Sequence, residues 1–336
     1  MANGRRKPAG SSRLPAGLRR PFARRGEDAV IHRNDSATVR LAHFSDIHVT
    51  APVCSWRMRD WFNKRMSAWI NLTLLGRGKH FRHTDRILKA LREELTQGNF
   101  DRLVFSGDAT AMGFEEEMRR AAELLGVGAA LPGLAVPGNH DYCTHAAMHS
   151  GHFERYFAPW LTGERIGKEV YPFAQRVGPV WVVAVNSATA NRLYWDARGH
   201  VGAAQLERLE NLLAGLSPGP RILVTHYPIW LAEGRRESAF HGLRDLKKLI
   251  STAERGGVVL WLHGHRHEHY HHPHSERTPF PVICAGSTTQ HGRWSYSDYT
   301  LTDRHLRVVQ RVFVEEQGSF RDGRVFELDL PMPRDI

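Results

Sequence analysis

Cysteine is scarce in this chain, with three residues in 336: Cys54, Cys143 and Cys284. An odd number without paired spacing argues against a disulfide framework and fits a reducing compartment. Long apolar runs are missing too. No stretch of about 18 apolar residues occurs, so no membrane-spanning helix is expected. The N-terminus lacks the apolar central run of a secretory signal. The resulting expectation is a cytoplasmic protein. No internal repeat is visible, and no signal for an oligomeric state.

Positive charge and histidine are in excess. The formal net charge is +11, and there are 21 histidines. Apolar residues make up 41% and charged residues 24%, the ordinary balance of a globular protein with room for a sizeable core. Much of the positive charge lies near the start, in Arg5, Arg6, Lys7, Arg13, Arg19, Arg20, Arg24 and Arg25. With Pro, Gly and Ser interspersed and no apolar periodicity, residues 1–36 read as a disordered basic tail. The alternative for it is a loose electrostatic tether to membrane or nucleic acid. Because the charge is mostly tail and no extra domain is present to hold a duplex, the balance weighs against a nucleic-acid partner.

Beyond the tail, short apolar runs alternate with segments of helical period. VRLAHFSDIH (39–48), DRLVFSGD (101–108) and LAVPGNHD (134–141) read as strands that break into loops. RILKALREEL (86–95) and FEEEMRRAAELL (114–125) have apolar residues at helical spacing. VWVVAVNS (180–187) is nearly continuously apolar, as a strand buried on both faces should be. Residues 205–213 read as helix, 221–228 as strand, 243–253 as helix, and 258–265 and 281–287 as strands. Residues 299–314 alternate about Asp303 and Arg304 like a hairpin. Such alternation with late strands predicts an α/β layered domain with a mixed sheet.

Five of these strands end in residues of one kind: Asp46 and His48; Asp108; Asn139, His140 and Asp141; His226; His265 and His267. In open α/β sheets, the carboxyl ends of the strands form the ligand crevice. Asp46 and His48 are two apart, so in an extended segment their side chains share a side, as would those of His265 and His267. Gly107, Gly138 and Gly264 each precede a polar residue at a strand end, where an unusual turn can present a ligand. Imidazole, carboxylate and a neutral amide oxygen together suit borderline divalent ions such as Mn, Fe or Zn.

SDIH, SGDA, PGNHD, THYP and HGHRH resemble the five successive motifs of the calcineurin-like metallophosphoesterases and span Asp46 to His267. The resemblance implies a four-layer αββα sandwich of two mixed sheets flanked by helices. It implies one metal on Asp46, His48 and His267, a second on Asn139, His226 and His265, and Asp108 bridging both. His140 would sit over the substrate phosphate, oriented by Asp141. The domain would cover residues 37–315, leaving 316–336 as a peripheral C-terminal extension. The implied activity is phosphoester hydrolysis through a metal-bridging hydroxide, as a phosphodiesterase or pyrophosphatase. The motifs do not specify the substrate, and a lipid-linked or nucleotide one is expected from the insert between the first two motifs. A cyclic-nucleotide phosphodiesterase is the alternative within the family, and a nuclease a third. A catalytically silent scaffold of the same fold is the reading outside enzymology, but such proteins usually lack motif residues, and here none is missing.

Between the first two motifs, Met58, Trp61, Phe62, Met66, Trp69 and Leu72 fall on one face of an expected helix, with Arg65 intruding. The plain reading is a helix packed on its own domain. The functional one is an amphipathic helix at the site mouth, with Trp61 and Arg65 as substrate-binding candidates and residues 56–80 making a peripheral membrane contact. His269, His271, His272 and His274 are expected to line a loop or link two strands, and His145, His149 and His152 to face solvent.

Overall fold

The computed structural model describes residues 38–332 apart from 130, 194 and 277, so the basic tail lies outside the described residues. In it the apolar runs are strands covered on both faces. Val182 and Ala184 face one core, while Trp181, Val183 and Val185 face another. The same division separates Ile222 and Val224 from Leu223, and Leu260 and Leu262 from Trp261. Side chains alternate across a strand, so a run apolar at every position needs cover on both sides.

In chain order the first elements are β1 (Val39–Phe44), α1 (Lys64–Thr73), α2 (Thr84–Gln97), β2 (Arg102–Phe105), α3 (Glu115–Leu125) and β3 (Gly133–Ala135). Next come α4 (His145–Ser150), α5 (His152–Tyr156), β4 (Glu164–Arg165), β5 (Phe173–Val177), β6 (Val180–Ala184), α6 (Ala203–Gly215) and β7 (Arg221–Val224). Then follow α7 (Leu246–Arg255), β8 (Val258–His263), β9 (His269–His272), β10 (Val282–Ala285), β11 (Ser295–Thr302), β12 (His305–Val314) and β13 (Ser319–Asp329). They form a six-stranded sheet, β13-β12-β11-β1-β2-β3, and a seven-stranded sheet, β4-β5-β6-β7-β8-β10-β9. Both are mixed. β1, β2 and β3 are parallel, as are β6, β7, β8 and β10, and the remaining strands run antiparallel to their neighbours.

The inner core joins Phe44, Val104 and Phe105 of the first sheet to Val182, Val224 and Leu262 of the second. On α2, Ile87, Leu88, Leu91 and Leu95 are buried against the first sheet. Each such side chain contributes roughly 1.5–3 kcal/mol when removed from water. Leu209, Leu212 and Leu213 of α6 and Leu249 of α7 cover the outer face of the second sheet. This is the expected αββα sandwich. It brings the carboxyl ends of β1, β2 and β3 to the same end as those of β7 and β8.

Two expectations need correction. Residues 319–329 are not a peripheral extension: β13 pairs with β12 from His305↔Asp329 to Val314↔Ser319 and buries Phe320. A register shift between Val309 and Arg311 breaks the period-2 pattern that would have marked this strand. Nor is Met58–Leu72 one amphipathic helix. Asn63 is extended and accepts a hydrogen bond from Arg65 N at 2.8 Å, so α1 starts afresh there. Met58, Trp61 and Phe62 lie on a separate 3₁₀ turn, Met58–Phe62, and are exposed.

Candidate metal centre

Each strand that reaches this end stops short of its functional residue. β1 closes at Phe44, and Asp46 and His48 both have left-handed backbone, with φ of 54° and 42°. Asp108 (58°), His265 (76°) and His267 (56°) do likewise. Such conformations cost a non-glycine residue about 1–3 kcal/mol each. The Asp46/His48 and His265/His267 pairs are therefore aimed by tight left-handed turns, not by the alternation of an extended strand. Gly107, at φ 101°, makes the turn before Asp108; a Cβ there would sit 2.8 Å from His226 Nδ1.

Backbone ties lock these turns to one another. Asp46 N donates to Gly107 O at 2.9 Å and His48 N to Asp108 O at 3.1 Å. Gly264 N donates to His226 O at 3.1 Å. Each key carboxylate uses one oxygen for this purpose: Asp46 Oδ2 accepts from His265 N and Asp108 Oδ1 from His140 N, at 2.9 and 2.8 Å.

The other oxygens face the centre. Asp46 Oδ1 lies 3.2 Å from His267 Nε2, and His267 Nε2 lies 3.0 Å from His48 Nε2. Asp108 Oδ2 is 3.6 Å from His48 Nε2, completing a set of four donors within 4.8 Å of one another. On its other side the same oxygen is 3.5 Å from His226 Nε2. Asn139 Oδ1 is 3.2 Å from His226 Nε2 and 2.9 Å from His265 Nδ1. The seven candidate ligands thus converge as two donor sets that share Asp108.

The residues fit a pair of divalent ions. A metal bound about 2.1 Å from nitrogen and oxygen donors holds neighbouring donors about 3 Å apart, the spacing seen in both sets. Asp46 Oδ1 is buried and accepts no hydrogen bond among the described residues. Burial alone would raise the Asp108 carboxyl, but His226, His140 and His48 hold it well below the usual carboxylate range. Burial favours neutral His226, yet Asp108 and Asp46 outweigh it and raise its pKa to about 9. His265 is pushed well below the imidazole value by burial and by His226. Metal binding replaces such protons, because ligating imidazole must be neutral.

His140 packs edge-on against His48, with ring centroids 4.7 Å apart. Its Nδ1 bonds Ala111 O at 2.7 Å, so a carbonyl, not Asp141, sets the ring's tautomer. The expected His140–Asp141 pairing is replaced by another role. The Asp141 carboxylate accepts from Gly138 N, Ala109 N, Thr110 N and Thr110 Oγ1 at 2.9–3.2 Å, stapling the Asp108 and Asn139 loops together. Burial and Asp108 push its pKa up to about 7 despite those donors.

Arg65 is also corrected. It is buried, pairs with Asp60 Oδ1 at 2.9 Å, and donates to Met112 O and Gly113 O at 3.2 and 2.7 Å. Its fork serves the chain's own groups, so it is a strut behind the centre and not a substrate contact. Trp61 is exposed and packs on Trp56 at 5.4 Å, whereas Ala68, Leu72 and Phe81 line a small cavity with His48 and His140. His145 and His149 are exposed on α4, and His152 pairs with Glu115. His269, His271 and His272 form β9, an edge strand and not a loop.

Several supporting residues went unread in the sequence. Gln290 bonds His267 Nδ1; Ser287 and Thr289 donate to Asp46 O and Ile47 O, both at 2.7 Å. Their signal was the polar run Ser-Thr-Thr-Gln directly after an apolar strand.

Fold and donor sets place the protein among the metal-dependent phosphoester hydrolases built on a two-sheet α/β sandwich. It belongs to the calcineurin-like phosphoesterase family, whose model matches residues 39–269. Among solved structures it is similar to a dimetal phosphatase from Danio rerio, with a TM-score of 0.58 and 11% identity over 87% of this chain and 99% of that one. It is also similar to the purple acid phosphatase PPD1 from yellow lupin seeds, with a TM-score of 0.56 and 14% identity over 88% of this chain. The match spans about half, 54%, of the lupin chain. At these identities the likeness is one of fold. No curated protein matches the chain.

Proposed function

We propose that this protein hydrolyses a phosphodiester or pyrophosphate bond with two divalent ions of the Mn, Fe or Zn kind. The observation that carries this reading is Asp108 Oδ2, which lies within 3.6 Å of His48 Nε2 in one donor set and 3.5 Å of His226 Nε2 in the other. Asp46, His48, Asp108 and His267 would hold one ion, and Asp108, Asn139, His226 and His265 the other. When bound, two such ions offset charge building on the phosphoryl oxygens and make water acidic near neutral pH.

The chain's own residues then position and protonate. His140 Nδ1–H donates to Ala111 O, so an imidazolium at His140 carries its second proton on Nε2 and can deliver it to the leaving oxygen. A general acid of this kind contributes roughly 10²–10⁴-fold. Asp141 keeps the Asn139–His140 turn seated on the Asp108 loop.

A lipid-linked or nucleotide ester is the substrate class this reading favours, with a cyclic nucleotide as the alternative. The apolar wall of Ala68, Leu72 and Phe81 beside His48 and His140 supports the lipid-linked form. The protein would then work as a cytoplasmic, membrane-peripheral enzyme through residues 56–80. The chain carries all seven candidate ligand residues and His140, which speaks against a silent scaffold.

Leaving-group dependence tests the chemistry. His140→Ala should lose far more activity on diesters with alkoxide leaving groups than on bis-p-nitrophenyl phosphate, with metal content unchanged. Equal losses on both would remove the acid role from His140.

A further inference from the structure

From Val53 to Arg82 the chain wraps one side of the metal centre and presents two unlike faces. Its inner face is ordinary core: Trp69 and Leu72 pack with Ala111, Met112 and Phe114. Its outer face is not. Val53, Met58, Trp61, Phe62, Leu74 and Leu75 are all exposed, Phe62 by 85% and Leu75 by 72%. These six are nearly half of the 13 large apolar side chains exposed among the described residues. Single exposed apolar residues need no explanation, but a concentration of them in one segment does. α1 packs against both flanking 3₁₀ turns, Met58–Phe62 and Arg77–Phe81, so the three form one unit.

The charge of this unit is one-sided. Between Val53 and Arg82 the only acidic residue is Asp60, which is buried and paired with Arg65. Arg57, Arg59, Lys79 and Arg82 are exposed in the same segment.

We infer that this outer face seats on an anionic lipid bilayer, bringing the mouth beside His48 and His140 to an ester held at the membrane surface. Exposed aromatic and aliphatic side chains together with exposed arginine and lysine, and no exposed carboxylate within Val53–Arg82 itself (Glu116 of α3 bonds Ser55 from outside it), match the interface between headgroups and acyl chains. A second copy of the chain is a poor occupant. A two-fold interface would set this cationic patch against itself. The benefit to catalysis rests on the hydrolase reading; the binding does not.

The test is flotation of the full-length protein with phosphatidylcholine vesicles, with and without phosphatidylglycerol. Phe62→Ser/Leu75→Ser and Arg57→Glu/Arg59→Glu change exposed positions only, and metal-restored hydrolysis of soluble bis-p-nitrophenyl phosphate checks that the centre stays intact. Wild type should float with phosphatidylglycerol vesicles. The serine variant should lose roughly tenfold or more of its partitioning. At about 1 kcal/mol for each cation near the surface, removing two costs roughly 30-fold, and the added glutamates should make the loss in the charge-reversal variant larger still. Lipids brominated in their chains should quench an emission component that Trp61→Phe removes. The basic tail is unchanged in these variants, so binding that survives the serine substitutions intact would assign it to the tail and overturn the inference. A dimer of wild type, seen in sedimentation velocity and lost in the serine variant, would overturn it in favour of a second copy. Loss of soluble-ester hydrolysis in wild type would instead fault the hydrolase reading and leave the flotation result standing.

Discussion

Replacing Arg65 removes one side chain that serves two loops. It is 9% exposed and pairs with Asp60, itself buried. It donates to the carbonyls of Met112 and Gly113, and its guanidinium lies 4.0 Å from the Phe114 ring centroid. In Arg65→Ala, Asp60 keeps only Arg57 N and Asn63 Nδ2 as donors, at 2.9 and 3.3 Å, and two carbonyls lose their partner. Removing one member of a buried ion pair costs about 3–5 kcal/mol. The damage should also reach chemistry, because Met112 and Gly113 directly follow Ala111, whose carbonyl holds His140 Nδ1. A ring freed by even about 1.4 kcal/mol of lost positioning would turn over roughly tenfold more slowly on poor leaving groups. Arg65→Lys keeps the charge but cannot span three acceptors, so it should recover only part of both losses. Equilibrium unfolding in urea and turnover on alkyl and p-nitrophenyl diesters measure the two effects. A stability loss below about 1 kcal/mol, no more than one ordinary hydrogen bond, would refute the strut. Normal leaving-group dependence in a destabilised Arg65→Ala would refute its link to His140.

Three further outcomes follow from buried groups. Glu117 is fully buried, and burial raises its pKa to about 8 despite hydrogen bonds from Met112 N and Phe114 N. The folded state thus binds this proton more tightly than the unfolded one, so its contribution to stability falls as pH rises from about 4.5 to about 8. Glu117→Gln should flatten that part of the stability curve, read from denaturation midpoints across the range. Gly138→Ala would drive a methyl group into the Asp108 carboxylate and should abolish metal pairing, checked by metal analysis of the purified protein. Ser287→Ala and Thr289→Ala each remove a donor to the Asp46–Ile47 turn. Each should lower stability by about 1 kcal/mol and weaken the set containing Asp46 more than the set containing Asn139, as metal titration would report.

The sandwich was legible because its strands carry their own cover requirement. A run such as Val180–Val185, apolar at every position, has to be enclosed on both faces, and helices of clear period lay between such runs. The donor residues were legible for a related reason: charged and imidazole side chains directly after apolar strands serve no packing purpose. The geometry that aims them was not. Left-handed backbone at four residues replaces the extended spacing expected at Asp46, His48, His265 and His267, because turn conformation depends on ties such as His48 N to Asp108 O that no local pattern records. Arg65 was misplaced for a similar reason. An arginine on an apolar stripe looks like a ligand contact until its partner Asp60, five residues earlier, is seen to be buried with it. β13 was hidden by the register shift, and the Asp141 role by its four donors, three of which are backbone amides.

The measurement that tests the central claim most directly is metal counting and turnover together. Chelator-stripped protein would be reloaded with Mn, Fe, Zn or Mg, bound metal counted by mass spectrometry, and hydrolysis of bis-p-nitrophenyl phosphate followed in parallel with Asp108→Ala. The expected result is two ions per chain, activity rising with the second ion, and loss of both pairing and turnover in Asp108→Ala. Full activity with one ion bound, or two ions and normal turnover in Asp108→Ala, would contradict the shared-carboxylate centre.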